Sequence, residues 1–183
     1  MIIFDFETTG LLGVSSLPAT SDARNKQARA TQLCAIKIDD VTFQQVDQFH
    51  SFFDPFPTPV LPDAAKVSGL STEYLRGQPT FASKYKELAT FFLGERRLVA
   101  HNLAFDRDIL FYELARIGRQ IQFPWPVEHV CTVELTEHIK GYRMKLGELH
   151  EHLFGEGFKE AHDARADTAA LARCYIALLK ADV

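Results

Sequence analysis

At 183 residues with 46% hydrophobic and 24% charged side chains, the chain has the length and composition of one globular domain, expected to span residues 1–183 and to bury a real core. Its net charge of −4 provides no global positive field for nucleic acid, although acids gathered into one site would leave the remaining surface near neutral, with room for local basic patches. Three widely separated cysteines, Cys34, Cys131 and Cys174, imply neither a disulfide framework nor a zinc knuckle, no apolar stretch is long enough to cross a membrane, and the absence of a basic, apolar leader points to a cytoplasmic protein with reduced thiols.

Taken in chain order, Ile2 to Phe6 is a short branched and aromatic run that reads as a buried central strand. Residues 11–30 mix Gly, Ser, Pro and charge without periodicity and read as a long loop carrying Arg24, Lys26 and Arg29. Gln32 to Asp39 and Val41 to Phe53 read as two further strands joined by an Asp39–Asp40 turn. Asp54 to Pro62 holds four prolines and is expected to be irregular.

Apolar spacing predicts a helix over Phe81 to Leu93, a strand over Arg97 to Ala100, and a helix from Leu103 to Ile117 ending at Gly118. After Pro124 and Pro126 a short strand is expected near Val130, then helices over Lys145 to Leu153 and Ala164 to Leu179. Three strands followed by alternating helices and strands indicate an α/β fold with a mixed sheet flanked by helices. Gln48 to Phe53 resembles a sliding-clamp peptide, but its alternation reads as core strand. His150 and His152, with Glu148 and Glu151, lack metal-ligand spacing and read as a solvated helix face.

Chemistry concentrates in three patches. Asp5 and Glu7, in I-I-F-D-F-E-T-T-G, stand two apart on a predicted strand and so leave the same face, with Phe6 opposite. Asp106, in H-N-L-A-F-D, falls in the first turn of a helix, where a carboxylate is stabilised in any case. His162 and Asp167, in H-D-A-R-A-D, are expected to face one site, although spacing alone does not rank Asp167 above Asp163. Acids brought together from distant positions repel and raise one another's pKa, and such clusters form around divalent cations, which use hard oxygen ligands.

These patches resemble the three exonuclease motifs of the DEDDh 3′–5′ exonuclease family, which includes the proofreading subunit of bacterial DNA polymerase III. The likeness extends to V-S-G-L-S-T-E-Y-L and L-G-E-L-H-E-H-L between the motifs and covers Ile2 to about Leu179. It implies a ribonuclease H-like fold and selects Asp167. It also implies that Asp5, Glu7, Asp106 and Asp167 are ligands for two Mg2+ or Mn2+ ions, that His162 is the general base, and that the product is a nucleoside 5′-monophosphate.

Thr8, Thr9, Gly10, Leu11, His101, Asn102 and Phe105 are the expected contacts of the substrate's terminal nucleotide. Expected partners are single-stranded nucleic acid or DNA 3′ ends, and a DNA polymerase bound through surface contacts that no sequence feature marks. Arg24, Lys26, Arg29, Arg143 and Lys145 are candidates for steering phosphates, with simple solvated charge as the alternative. Three departures from the family pattern bear on substrate preference: Ser68 where a histidine is frequent, Cys131–Thr132 where Asp–Thr is frequent, and the length of 11–30. An exoribonuclease and a silent polymerase-associated module are the competing functions, and no fused polymerase or helicase domain is expected after the third motif.

Overall fold

A computed structural model describes residues 1–13, 27–159 and 161–181; Arg24 and Lys26 of the expected loop lie outside the described residues. Five strands, β1 (Ile2–Thr8), β2 (Ala30–Ile38), β3 (Gln45–Phe52), β4 (Arg97–Ala100) and β5 (Glu128–Cys131), form one sheet in the order β3-β2-β1-β4-β5. β1, β2 and β3 pair antiparallel, whereas β4 and β5 add in parallel. Helices α1 (Pro62–Ser68), α2 (Thr72–Leu75) and α3 (Phe81–Phe92) precede β4, and α4 (Leu103–Arg116) follows it. After β5 come α5 (Thr132–Lys140), α6 (Leu146–Phe154) and α7 (Ala164–Lys180).

The central strand is apolar on both faces because both are covered. Ile2, Phe4 and Phe6 join a cluster containing Leu88, Phe91 and Phe92 of α3 and Ile109, Leu110 and Leu114 of α4. Met1 and Ile3 join Leu171, Ala172 and Tyr175 of α7 on the other side. Strand alternation therefore directs Asp5 and Glu7 toward the α7 face, at the carboxyl end of β1. β1 pairs with β4 only through Ile2 and Ile3, so its last residues extend beyond the parallel partner and leave room for a site.

Three helices lie where the sequence signalled none: α1, the single-turn α2 and α5. Pro62, expected in an irregular segment, begins α1; proline suits a first helical position because its missing N–H is an orphan there anyway. The buried residues of α5 are Thr132, Val133 and Thr136, so its inner face carries two threonines and little apolar signal. β3 begins four residues later than expected because Asp39 Oδ1 accepts from the Val41 and Thr42 N–H groups and from the Thr42 hydroxyl, which extends the turn. β3 is an edge strand, with Gln45 to Gln48 exposed while Phe49 and Phe53 are buried.

His150 does not lie on a solvated face. It is 2% exposed, its Nδ1 lies 2.7 Å from the Glu156 carbonyl and its Nε2 3.2 Å from the Arg173 guanidinium. Arg29 is likewise taken up internally. Its guanidinium meets the buried Glu113 carboxylate at 3.3 Å and donates to the Phe56 carbonyl at 2.8 Å, while Glu113 also accepts the Ala30 N–H. A guanidinium held in this way ties β2, α4 and the segment before α1 together and is not free to steer phosphates. Cys34 and Cys174 are buried and Cys131 is half-buried, all as free thiols. No helix among the described residues is long and apolar enough to cross a membrane.

Candidate active site

A cleft of about 1040 Å3 opens at the carboxyl end of β1, and its walls contain all five core residues of the three patches: Asp5, Glu7, Asp106, His162 and Asp167. Each is brought there by a different local cause. Asp5 and Glu7 share the α7 face of β1, and a bulge in the β1–β2 ladder between Glu7 and Thr8 turns the strand immediately after them. Asp106, in the first turn of α4 and 3% exposed, comes from the opposite side. Its Oδ1 accepts the Phe6 N–H at 3.0 Å, a strand donor that β4 is too short to satisfy. Phe6 joins the core cluster, as alternation requires, yet it also lines the cleft.

The third patch begins α7. Asp163 is the N-cap: its side chain accepts the Arg165 N–H at 2.8 Å and pairs with the Arg165 guanidinium at 3.3 Å. One turn later Asp167 reaches the cleft, and its Oδ2 accepts the His162 N–H at 2.9 Å. The two acids that spacing left unranked are thus divided between capping and the cleft. His162 adopts a left-handed conformation with φ 72°, a sparsely populated state for a non-glycine residue that persists where its surroundings fix it.

Four carboxylates lining one cleft disfavour joint ionisation. Burial, followed by the Asp106 and then the Asp167 charge, holds Asp5 well above the usual carboxylate range. Burial and the Asp167 and Asp106 charges push Glu7 up to about 8. Burial pushes Asp106 up to about 8, against the stabilising hydrogen bond from Phe6. Burial also raises Asp167, offset in part by the His162 N–H. Ligand atoms of Glu7, His162 and Asp167 all lie within 4.8 Å of one another. A cluster of hard oxygen donors with an imidazole at its edge fits a divalent cation chemically.

The expected nucleotide contacts separate into two groups. Thr8, Gly10, Leu11, Asn102 and Phe105 line the cleft. Thr9 and His101 do not. Thr9 is 2% exposed and its hydroxyl accepts the Arg29 N–H. The His101 ring is held between Thr132 Oγ1 at 2.9 Å and the Met144 carbonyl at 3.0 Å, which pins the segment before α6 and leaves neither ring nitrogen for a ligand. Arg143 lies at the cleft's edge, 3.4 Å from Asn102 Oδ1, and Lys145 is exposed at the start of α6.

The remaining wall was not among the expected contacts. Leu61, Pro62, Asp63, Ala64 and Val67, from α1 and the residue before it, complete the cleft. α1 buries none of its residues; its apolar side faces the cleft. A Cβ at Gly10 would stand 2.8 Å from Leu61 Cδ1, so a side chain there would push the Leu61 side chain aside. The recurrence of Leu61, Ala64 and Val67 every third residue, around a Pro62–Asp63 helix start, is a signal that could have located the wall in sequence.

The family model for the RNase T exonucleases matches residues 2–175. DNA polymerase III subunit epsilon of Rickettsia prowazekii is 27% identical over 180 residues, 97% of this chain and 72% of that protein. The DNA polymerase III PolC-type of Halalkalibacterium halodurans is 29% identical over 117 residues, 64% of this chain, and the match spans only 7% of that polymerase. Among solved structures, Escherichia coli exonuclease I in complex with a dT13 oligonucleotide superposes with a TM-score of 0.75 at 17% identity, covering 98% of this chain and 40% of that one. The nuclease domain of 3′hExo, a DEDDh family member bound to rAMP, also gives 0.75 at 16% identity, covering 98% and 91%. The mixed five-stranded sheet is therefore the ribonuclease H-like sheet of these nucleases, and a match running from the first strand into the last helix makes the chain a member of the RNase T exonuclease family.

Proposed function

We propose that the chain is one exonuclease domain that removes nucleotides from the 3′ ends of DNA, single-stranded in the first instance, and releases nucleoside 5′-monophosphates. Asp5, Glu7, Asp106 and Asp167 are the ligands of two divalent cations, Mg2+ or Mn2+, and His162 is the general base. The observation that carries this reading is the convergence of four carboxylates and one histidine, from β1, α4 and the start of α7, in a single cleft with an apolar wall. Escherichia coli exonuclease I is known with single-stranded DNA in a zinc-bound form, and the curated relatives are DNA polymerase III components. These relatives support DNA as substrate, a DNA polymerase as partner and the cytoplasm as location.

When bound, the cations supply Lewis-acid activation and neutralise charge on the phosphate; the chain's residues do the rest. The His162 imidazole accepts a proton from the attacking water as its oxygen bonds to phosphorus. The bond from phosphorus to the 3′ oxygen breaks, and that oxygen takes up a proton from solvent. Leu11, Leu61, Val67 and Phe105 pack the terminal base and sugar and exclude water, which strengthens the electrostatic contacts inside.

Metal-free protein should display the carboxylate repulsion as a pH effect on stability. Glu7 and Asp106 have folded pKa values raised to about 8 from ordinary values of 4.5 and 3.8, so the folded state holds these protons more tightly than the unfolded one. Their contribution is complete below the ordinary carboxylate pKa and is lost as pH rises through about 8. With about 1.4 kcal/mol for each pKa unit, the Tm without metal is expected to fall by at least about 5 °C between pH 6 and pH 8. Saturating Mn2+ should restore it at pH 8 and change it little at pH 6. Equal stabilisation by Mn2+ at both values would argue against a site built from these acids.

The reading is tested with matched labelled DNA and RNA oligonucleotides, Mg2+ or Mn2+, and Asp5→Ala as the control. Metal-dependent release from DNA at least tenfold faster than from RNA is the expected result. The reverse preference would make the enzyme an exoribonuclease, the reading favoured by the rAMP complex of 3′hExo and decided by contact with the 2′-OH. No release from either would leave a silent binding module.

A further inference from the structure

Gln32 is a buried amide outside the three motifs, 1% exposed, in the row of residues that crosses the sheet beneath the site. It stands directly opposite Glu7 in the β1–β2 ladder and opposite Phe52 in the β2–β3 ladder, so its side chain shares the face of Glu7. From there its Oε1 accepts the N–H of Ala164 at 3.2 Å, a buried bond between residues 132 apart in the chain. Ala164 is the first residue of α7, and first-turn helix N–H groups have no partner within the helix. Asp163 caps Arg165, which leaves the Ala164 donor to Gln32. The amide nitrogen of Gln32 is 3.0 Å from His50 Nε2. Both ends of the amide are therefore committed, and its orientation is fixed.

We infer that Gln32 is a positioning residue for the proposed exonuclease reaction, fixing the first peptide of α7, and through it His162 and Asp167, against Glu7. Three donors within 4.8 Å, Glu7, His162 and Asp167, come from two elements with no covalent link near the site. Glu7 is held by the ladder that also carries Gln32, and the other two lie two residues before and three after the peptide that Gln32 grips. The left-handed backbone of His162 needs restraint on both sides, and two bonds supply it: His162 N–H to Asp167, and Ala164 N–H to Gln32. His50 keeps the far end of the amide in place with its Nε2 as acceptor, which makes Nδ1 the protonated nitrogen.

The inference rests on the exonuclease reading, and its test separates the two. Gln32→Met keeps the length of the side chain and removes the acceptor. In metal-free protein, the Ala164 amide is expected to exchange with solvent deuterium at least about tenfold faster in Gln32→Met than in wild type, with the Ile3 and Ile109 amides unchanged. With Mn2+ and labelled single-stranded DNA, kcat should fall about 10- to 100-fold, the range for removing a residue that supports a ligand. KM should stay within about threefold. If Gln32→Met does not fold, Gln32→Asn, one methylene short of Ala164, carries the same expectations. Wild-type exchange at Ala164, or wild-type kcat in a folded Met or Asn variant, would overturn the positioning role. Inactive wild-type protein would defeat the exonuclease reading and leave the exchange result to decide the role of Gln32.

Discussion

Asp5→Ala is expected to reduce metal-dependent nucleotide release by at least about 10³-fold, beyond the 10- to 100-fold typical of residues that only support a ligand. Asp5 is the acid on which the others converge: Asp106, Asp167 and Glu7 all raise its pKa, after burial itself. Its removal therefore deletes a proposed ligand and also relieves repulsion among the remaining carboxylates. Metal-free Asp5→Ala at pH 8 should melt no lower than wild type, and Mn2+ should raise its Tm far less. Loss of activity with a lowered metal-free Tm would mean that Asp5 serves the fold more than the site. Scanning calorimetry on both proteins, with and without Mn2+, separates the outcomes.

His162→Ala is expected to lower kcat by at least about 10²-fold while Mn2+ binds within a few-fold of wild type. The geometry makes the experiment necessary, because His162 lies within ligand distance of Glu7 and Asp167 as well as beside the cleft. A base and a ligand differ in what their loss removes. Loss of the base leaves four carboxylates to hold cations, and titration calorimetry would report little change. Loss of a ligand would weaken binding by an order of magnitude or more, and raising Mn2+ would then restore rate. Rescue by high Mn2+ would thus reassign His162 from proton acceptor to ligand.

Much of the site was legible because its chemistry is local. Strand alternation placed Asp5 and Glu7 on one face, and a helix start placed Asp106 in a first turn; both hold in the fold. Asp163 and Asp167 could not be separated by spacing. What divides them is the Arg165 partner, which takes Asp163 into the cap. Thr9 and His101 are polar residues within motif segments, yet long-range partners at Arg29, Thr132 and Met144 occupy them. Patterns within a segment carry no information about such partners.

The apolar wall of α1 was obscured for a related reason. Its outward side chains serve the cleft and not the core, so it lacks the burial stripe that marks a helix, and proline in the segment suggested irregular chain. Gln32 is invisible without the ladder that puts it opposite Glu7. His150, read as solvated, is buried because Glu156 and Arg173 reach it from outside its own helix. In each case the missing information is a contact between residues far apart in sequence or on separate elements.

The direction and chemistry of cleavage decide the proposed activity. A single-stranded DNA oligonucleotide labelled at its 5′ end is incubated with purified protein and Mn2+, and both the shortened strands and the released nucleotides are resolved. A ladder shortening one residue at a time from the 3′ end, with nucleoside 5′-monophosphates as the only small product and no reaction after chelation, is the predicted result. Immediate release of the 5′ label, internal cuts, or 3′-monophosphates would contradict it.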